Sequence, residues 1–356
     1  MKKHLLALAA LATVSGAAFA QSNVTVYGFI DAGILTTNNA TGGKNATMAT
    51  SGQWFPSMIG FTGSEDLGGG LKANFNLQGS LTNQTGAAGD ATNSSGTSLF
   101  GRYATVGLSG AYGKLDLGRQ IDIMFLQSFV NGVIPTHTNS LAVNGLLAYG
   151  TAANTNSSTS GAFVNNAVAY VSPSFNGLKL QVQSSVGGQA GDKTKASQTA
   201  GILNYDAGSL SLSAGYEVAN DASGGTAAKK SLVGAKYTIG QVLLAAQYHT
   251  YEQGVAAGKT VDARGYEIGL GYQLTPATLV AVNYEDMKDD KATTDKSPKI
   301  VSLKAKYDLS KRTYLYGTVA NFNKDAAGAI YQGYASTKGS NTKSANNIGL
   351  GVVHSF

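Results

Sequence analysis

The 356-residue chain contains no cysteine. That excludes a disulfide scaffold, a thiolate metal site and a cysteine nucleophile. Charge is also scarce. Asp, Glu, Lys and Arg make up 13% of the residues, against roughly 25% in an ordinary soluble domain. The formal net charge of +6 is small for this length and gives no reason to expect nucleic acid as a partner. Proline is rare, with 5 residues. After the first twenty positions no stretch reaches the ~18 consecutive apolar residues of a membrane-spanning helix. Glycine is abundant, with 46 residues, and so is tyrosine, with 18. A hydrophobic fraction of 43% is enough for a large folded structure and argues against global disorder.

The first twenty residues read as an address. Lys2 and Lys3 precede an apolar run from Leu5 to about Val14, and Ala18-Phe19-Ala20 supplies small residues in A-x-A spacing. This is the pattern of a secretory signal peptide rather than of a short buried helix. Cleavage after Ala20 removes Lys2 and Lys3, leaving 24 basic against 20 acidic residues, and Gln21 then starts the mature chain. An exported chain with no spanning helix is a soluble exported protein or a β-barrel of the outer membrane.

The remaining sequence alternates with period two. Leu210, Leu212, Ala214, Tyr216 and Val218 oppose Ser211, Ser213, Gly215 and Glu217. Val301, Leu303, Ala305 and Tyr307 oppose Ser302, Lys304, Lys306 and Asp308. A strand with one face in hydrocarbon and the other in water requires this alternation. Connections come in two lengths. Short ones carry turn residues, at Asp66-Leu67-Gly68-Gly69-Gly70, Asp206-Ala207-Gly208, Ile239-Gly240 and Thr275-Pro276. Long polar ones lie near 82–97, 187–198, 220–230, 252–262, 287–297 and 323–345. Tyr170, Tyr205, Tyr237, Tyr272 and Tyr307 each precede a short turn, 32 to 35 residues apart. Each interval fits two strands with one long and one short connection. A tyrosine ring at one interface is the aromatic girdle of a transmembrane barrel, although repeated soluble β-folds share such periods. Sixteen strand centres can be placed: Phe29, Gly60, Phe75, Thr105, Leu117, Ala167, Val182, Leu203, Ala214, Gly234, Ala246, Ile268, Val282, Leu303, Gly317 and Gly351. The expected fold is all-β, a 16-stranded antiparallel transmembrane β-barrel. A barrel of that size is too wide for its own side chains to fill and holds water.

Three regions carry a resemblance to a known family. The first is Val24-Thr25-Val26-Tyr27-Gly28-Phe29-Ile30-Asp31-Ala32-Gly33. The second is Gly60-Phe61-Thr62-Gly63-Ser64-Glu65-Asp66-Leu67-Gly68-Gly69-Gly70-Leu71-Lys72-Ala73. The third runs through Phe100-Gly101-Arg102-Tyr103 and Tyr112-Gly113-Lys114-Leu115-Asp116-Leu117-Gly118-Arg119-Gln120. Over the whole mature chain (21–356) the sequence resembles the trimeric general porins of Gram-negative bacteria, in particular their β-proteobacterial branch. The resemblance implies a third external loop folded into the lumen, here about 122–161, with an external cap at the trimer contact as the alternative. It implies opposed charges at the constriction, on Arg102, Arg119, Lys114 and Asp122. Met58 stands where the family often has an arginine, and Phe163 stands near another such position. The constriction is therefore less charged than the family pattern. Strand parity does not fix the facing of Arg102 and Arg119. Both share parity with apolar neighbours, so a bulge is needed to turn them inward; otherwise they sit at the rim against lipopolysaccharide. Phe356 and His354 lie on one face of the last strand with Ile348, Leu350 and Val352, and this looks like the signature read by the outer-membrane insertion machinery.

Other motifs are weak. The histidines of the mature chain are His137, His249 and His354, and nothing groups them with a nucleophile. Gly258-Lys259-Thr260 lacks the spacing and context of a phosphate loop. Glu285, Asp286, Asp289, Asp290 and Asp295 could take a divalent cation, but interleaved Lys288, Lys291 and Lys296 favour a self-paired loop. Trp54 and Phe55 are expected in the upper aromatic girdle. The functional expectation is a homotrimeric, non-enzymatic channel for passive diffusion of small hydrophilic solutes and ions, mildly anion-selective, with no cofactor or metal. A substrate-selective channel and a plugged barrel with an adhesive role are the alternatives.

Overall fold

A computed structural model describes residues 23–38, 43–89, 98–134, 162–256, 258–291, 297–325 and 344–356. The leader at 1–20, His137, Asp295 and the stretch 135–161 of the expected inward loop lie outside the described residues.

The strands are β1 (Asn23–Thr37), β2 (Ala46–Ser51), β3 (Met58–Gly68), β4 (Leu71–Thr82), β5 (Ala87–Ala88), β6 (Tyr103–Gly110), β7 (Gly113–Ile121), β8 (Phe163–Val171) and β9 (Leu178–Ser185). They continue as β10 (Gln198–Ala207), β11 (Leu210–Asn220), β12 (Thr226–Ile239), β13 (Val242–Gln253), β14 (Val261–Thr275), β15 (Thr278–Asp289), β16 (Lys299–Asp308), β17 (Thr313–Phe322) and β18 (Ala345–Ser355). One helix, α1 (Ile123–Asn131), follows β7. Every pairing is antiparallel, and β1 closes the ring by pairing with β18 on one side and with β2 and β3 on the other. β2 pairs with the outer half of β1 and β3 with its inner half, so together they make one interrupted stave. β5 pairs only with β4 in an external hairpin. The barrel therefore has sixteen staves, and each of the sixteen sequence-derived centres lies within one of them. Closure pairs the backbone all round, which a lipid-embedded sheet needs because no water is present to pair an open edge.

The alternation seen in the sequence decides which face is which. Leu203, Leu212, Val233, Leu244, Ile268, Val282, Leu303, Val319 and Leu350 point outward and are exposed. Gln183, Gln198, Ser213, Glu217, Lys230, Gln247, Glu267, Asn283 and Lys304 point inward and are buried. An apolar exterior around a polar interior inverts a soluble core and fits a hydrocarbon surrounding. Tyr170, Tyr237, Tyr272 and Tyr307 are exposed on the outer face beside the short turns, while Tyr205 is half-buried. The Tyr170 hydroxyl donates to the Tyr112 carbonyl (2.7 Å) and that of Tyr272 to Gln241 Oε1 (2.7 Å), holding the polar tips at the turn level. In the last stave Ile348, Leu350, Val352, His354 and Phe356 share the outer face. The backbone of Phe356 exchanges two hydrogen bonds with Gly28.

Candidate functional site

The inner wall near the first staves is a polar relay. The Tyr27 hydroxyl donates to Asn76 Oδ1 (2.5 Å), and Gln78 Nε2 donates to the Tyr27 oxygen (2.9 Å). Gln78 Oε1 accepts from Arg102 Nε (2.6 Å), and Arg102 also reaches Ser80 Oγ (3.5 Å). Met58 pairs with Ser80 in the ladder, so it sits beside this guanidinium. Arg102 precedes the first residue of β6, which frees it from strand parity.

Arg119 lies beside an irregularity of the next ladder. The β7–β8 ladder shifts between Gly118 and Gln120, where Asn165 and Asn166 together oppose Arg119. Gly118 has φ +126° and Asn166 has φ +52°, the conformations such a bulge demands. Arg119 donates through Nε to the Gly101 carbonyl (2.6 Å) and through its terminal nitrogen to Asn165 Oδ1. The Phe163 ring lies 5.6 Å from the Arg102 guanidinium carbon and 5.3 Å from that of Arg119. One buried ring thus carries two cations on its π-system. Phe125 of α1 packs against the cluster of Ile121, Ala162 and Phe163. Lys114, near the periplasmic turn, is ion-paired with Asp116 (2.8 Å).

α1 runs inside the barrel. Asp122 caps it, accepting from the Phe125 amide (3.0 Å). The same carboxylate accepts from Gln198 Nε2 (2.7 Å) and lies 3.8 Å from Lys230 Nζ, which is itself 2.9 Å from Glu217. These ionic side chains are almost wholly buried, so each depends on the others. Further along, Gln247 Nε2 donates to the Ser128 carbonyl (3.1 Å), and Lys236 Nζ donates to the Val130 carbonyl (3.1 Å). α1 is thus stitched across the inner faces of β9 to β13.

The opposite arc is covered by a segment that sequence reasoning misplaced. Trp54 and Phe55 are not in the outer girdle. The stretch 52–57 turns into the lumen, and Trp54 is 3% exposed. Asp31 holds it there: Oδ2 accepts from the Trp54 amide (2.5 Å) and the Phe55 amide (3.0 Å), and Oδ1 accepts from the Tyr316 hydroxyl (2.6 Å). Trp54 packs on Tyr316 (centroids 5.2 Å apart) and Tyr314 (5.9 Å), and Phe55 on Phe129 of α1 (6.1 Å). Val133 and Ile134, just after α1, join the same apolar cluster. No local pattern marks this inward turn, because its anchors are Asp31 and Tyr316 on other staves.

The acids near β15 do not converge. Glu285 is buried on the inner face, Asp286 pairs with Lys299 (2.9 Å), and Asp290 pairs with Arg264 (3.3 Å) and Lys288 (3.4 Å). His249 is fully buried on the inner face with Nε2 2.9 Å from Gln247 Oε1, and His354 lies outside, 2.9 Å from Thr313 Oγ1.

Comparison with known proteins agrees with this architecture. Residues 7–327 match the family model described as Gram-negative porin. Outer membrane porin protein 32 of Delftia acidovorans is 33% identical over 374 residues, covering all of both chains. An outer membrane porin protein of Bordetella pertussis is 27% identical over 422 residues, again over all of both chains. Among solved structures, the anion-selective porin from Comamonas acidovorans superposes with a TM-score of 0.76 at 23% identity, covering 94% of this chain and 100% of that one.

Proposed function

Because the chain belongs to the Gram-negative porin family and is an outer-membrane channel for passive diffusion, we propose that its selective region is the part of the lumen bordered by α1 and the Arg102–Arg119 pair. The observation that carries this reading is the position of α1, a helix inside the barrel whose Phe125 meets the cluster under both guanidinium groups. Residues 122–161 serve as the constriction loop, rooted at Asp122. Solutes are sorted by size there, and by charge through the field of the two arginines. With Met58 and Phe163 in place of further cations, that field is modest and favours anions mildly. The inward stretch 52–57 narrows the lumen from the other side, so the aqueous path has two protein boundaries besides the wall.

The processed protein starts at Gln21 and works as a homotrimer in lipid and lipopolysaccharide. The outer face of β18, ending at Phe356, serves as the signal for the insertion machinery. A reversal potential under a KCl gradient tests the charge claim. A potential set by chloride supports it, and one set by potassium refutes it.

A further inference from the structure

α1 carries its amphipathicity inverted. The side turned to the barrel wall holds Met124, Gln127, Ser128 and Asn131, all buried. Three of these four are polar, and they bond to the wall and to one another. Asn131 Oδ1 accepts from Gln127 Nε2 (2.9 Å) and from Ser213 Oγ (2.8 Å), and the Ser128 carbonyl accepts from Gln247 Nε2 (3.1 Å). The other side is apolar. Leu126 and Val130 lie one turn apart and are 41% and 53% exposed. Because α1 runs inside the barrel, that side faces the lumen.

A helix that packs on protein ordinarily buries its apolar side and gives its polar side to water. Here the polar wall takes the polar side, and the apolar side is left on the permeation path. A row of rings extends it. Phe125 and Phe129 have centroids 5.0 Å apart, Phe129 and Phe55 6.1 Å, and Phe55 and Phe29 6.0 Å. Phe125, Phe55 and Phe29 are half-buried, so their edges or faces remain open to a solute. Charge is missing from the same region, since no Asp, Glu, Lys or Arg occurs from Ile123 to Leu178. On the inner wall of β1, β3 and β4, half-buried Tyr27, Thr62 and Asn76 offer neutral hydroxyl and carboxamide groups. A solute matched to both surfaces is uncharged, rich in hydroxyls and apolar on one face.

We propose that the lumen-facing side of α1 is a rail for neutral pyranose sugars, with Leu126 and Val130 as its specificity-determining residues. A pyranose has hydroxyls around its rim and C–H bonds on its faces. One face slides over Leu126, Val130 and the neighbouring rings, while the rim keeps its water or bonds to the neutral groups of the wall. The contact is weak enough to release the sugar, so it raises the chance of passage without trapping it. An open-chain hexitol of the same carbon number has no such face and gains nothing. The inference rests on the diffusion reading and adds a solute class to it.

The test is swelling of protein-loaded liposomes in glucose and in sorbitol, with KCl conductance of the same preparations recorded in planar bilayers. Wild-type protein is expected to pass glucose about fivefold faster than sorbitol, as for ~40 Å² of apolar surface withdrawn from water on the rail. The double variant Leu126→Gln/Val130→Thr keeps the side-chain volumes nearly constant and replaces the apolar surface with polar groups. Both positions are exposed, so the variant is expected to fold, and its glucose-to-sorbitol ratio is expected to fall to about one through slower glucose entry. Equal rates in the wild type would overturn the rail alone. So would a glucose preference that the double variant retains, since the preference would then come from solute shape. Absence of any KCl current would overturn the diffusion reading and the rail with it.

Discussion

Asp31 decides whether the stretch 52–57 stays in the lumen. Its carboxylate accepts three hydrogen bonds, two from the Trp54 and Phe55 amides and one from the Tyr316 hydroxyl, and it is fully buried. Asp31→Ala leaves two buried backbone donors without an acceptor. At ~1–3 kcal/mol for each stranded donor, that change costs about 2–6 kcal/mol. Asp31→Asn is expected to be much milder. Its single carbonyl oxygen can keep both backbone amides, while its NH₂ donates to the Tyr316 oxygen, whose hydroxyl can rotate. Only the charge assistance is lost, at about 1 kcal/mol. Urea unfolding in lipid vesicles measures the stability, and single-channel conductance reports whether the segment has left the lumen. Trp54→Ala is expected to cost about 3–5 kcal/mol by the cavity it leaves. Since both changes act on one segment, the double variant Asp31→Ala/Trp54→Ala should cost less than the sum. Conductance should rise in Asp31→Ala and stay near wild type in Asp31→Asn. Equal effects of Ala and Asn would refute the acceptor argument. Unchanged conductance in Asp31→Ala would refute the role of the segment in narrowing the pore.

Replacing both Arg102 and Arg119 with Gln should move the reversal potential under a salt gradient toward the cation value, and more at 0.01 M than at 1 M salt, because screening falls with dilution. Lys230→Met strands the buried carboxylates of Asp122 and Glu217, so it should cost on the order of 3–5 kcal/mol in urea unfolding and add low-frequency current noise as the root of α1 loosens. Phe356→Ala should slow assembly into lipid vesicles with little effect on the conductance of channels that do assemble; unchanged assembly kinetics would remove Phe356 from the insertion signal.

The staves were legible because lipid on one side and water on the other force period two onto every strand. Leu203, Ile268 and Leu303 show this outward, and Asn204, Glu267 and Lys304 show it inward. The tyrosines before the short turns were legible for the same reason, since a membrane interface selects a ring with a polar tip. The surroundings of Arg119 were not legible. Parity called for a bulge on its own strand, whereas the extra residue lies on the neighbouring stave, at Asn165-Asn166. The inward turn at Trp54 left no mark, because tryptophan beside an external loop reads equally well as a girdle residue. Asp31 and Tyr316, separated from each other by most of the chain, decide the matter. The buried link of Asp122, Glu217 and Lys230 was hidden likewise, since a charged residue on a polar face looks solvated until a helix covers it.

An open aqueous path narrowed by protein and tilted by two arginines has an electrical signature. Single-channel recording of the purified protein in a planar bilayer under a KCl gradient reads it. The expected result is stepwise conductance that closes in threes, with a reversal potential displaced modestly toward that of chloride. Folded, inserted protein that passes no current would contradict it.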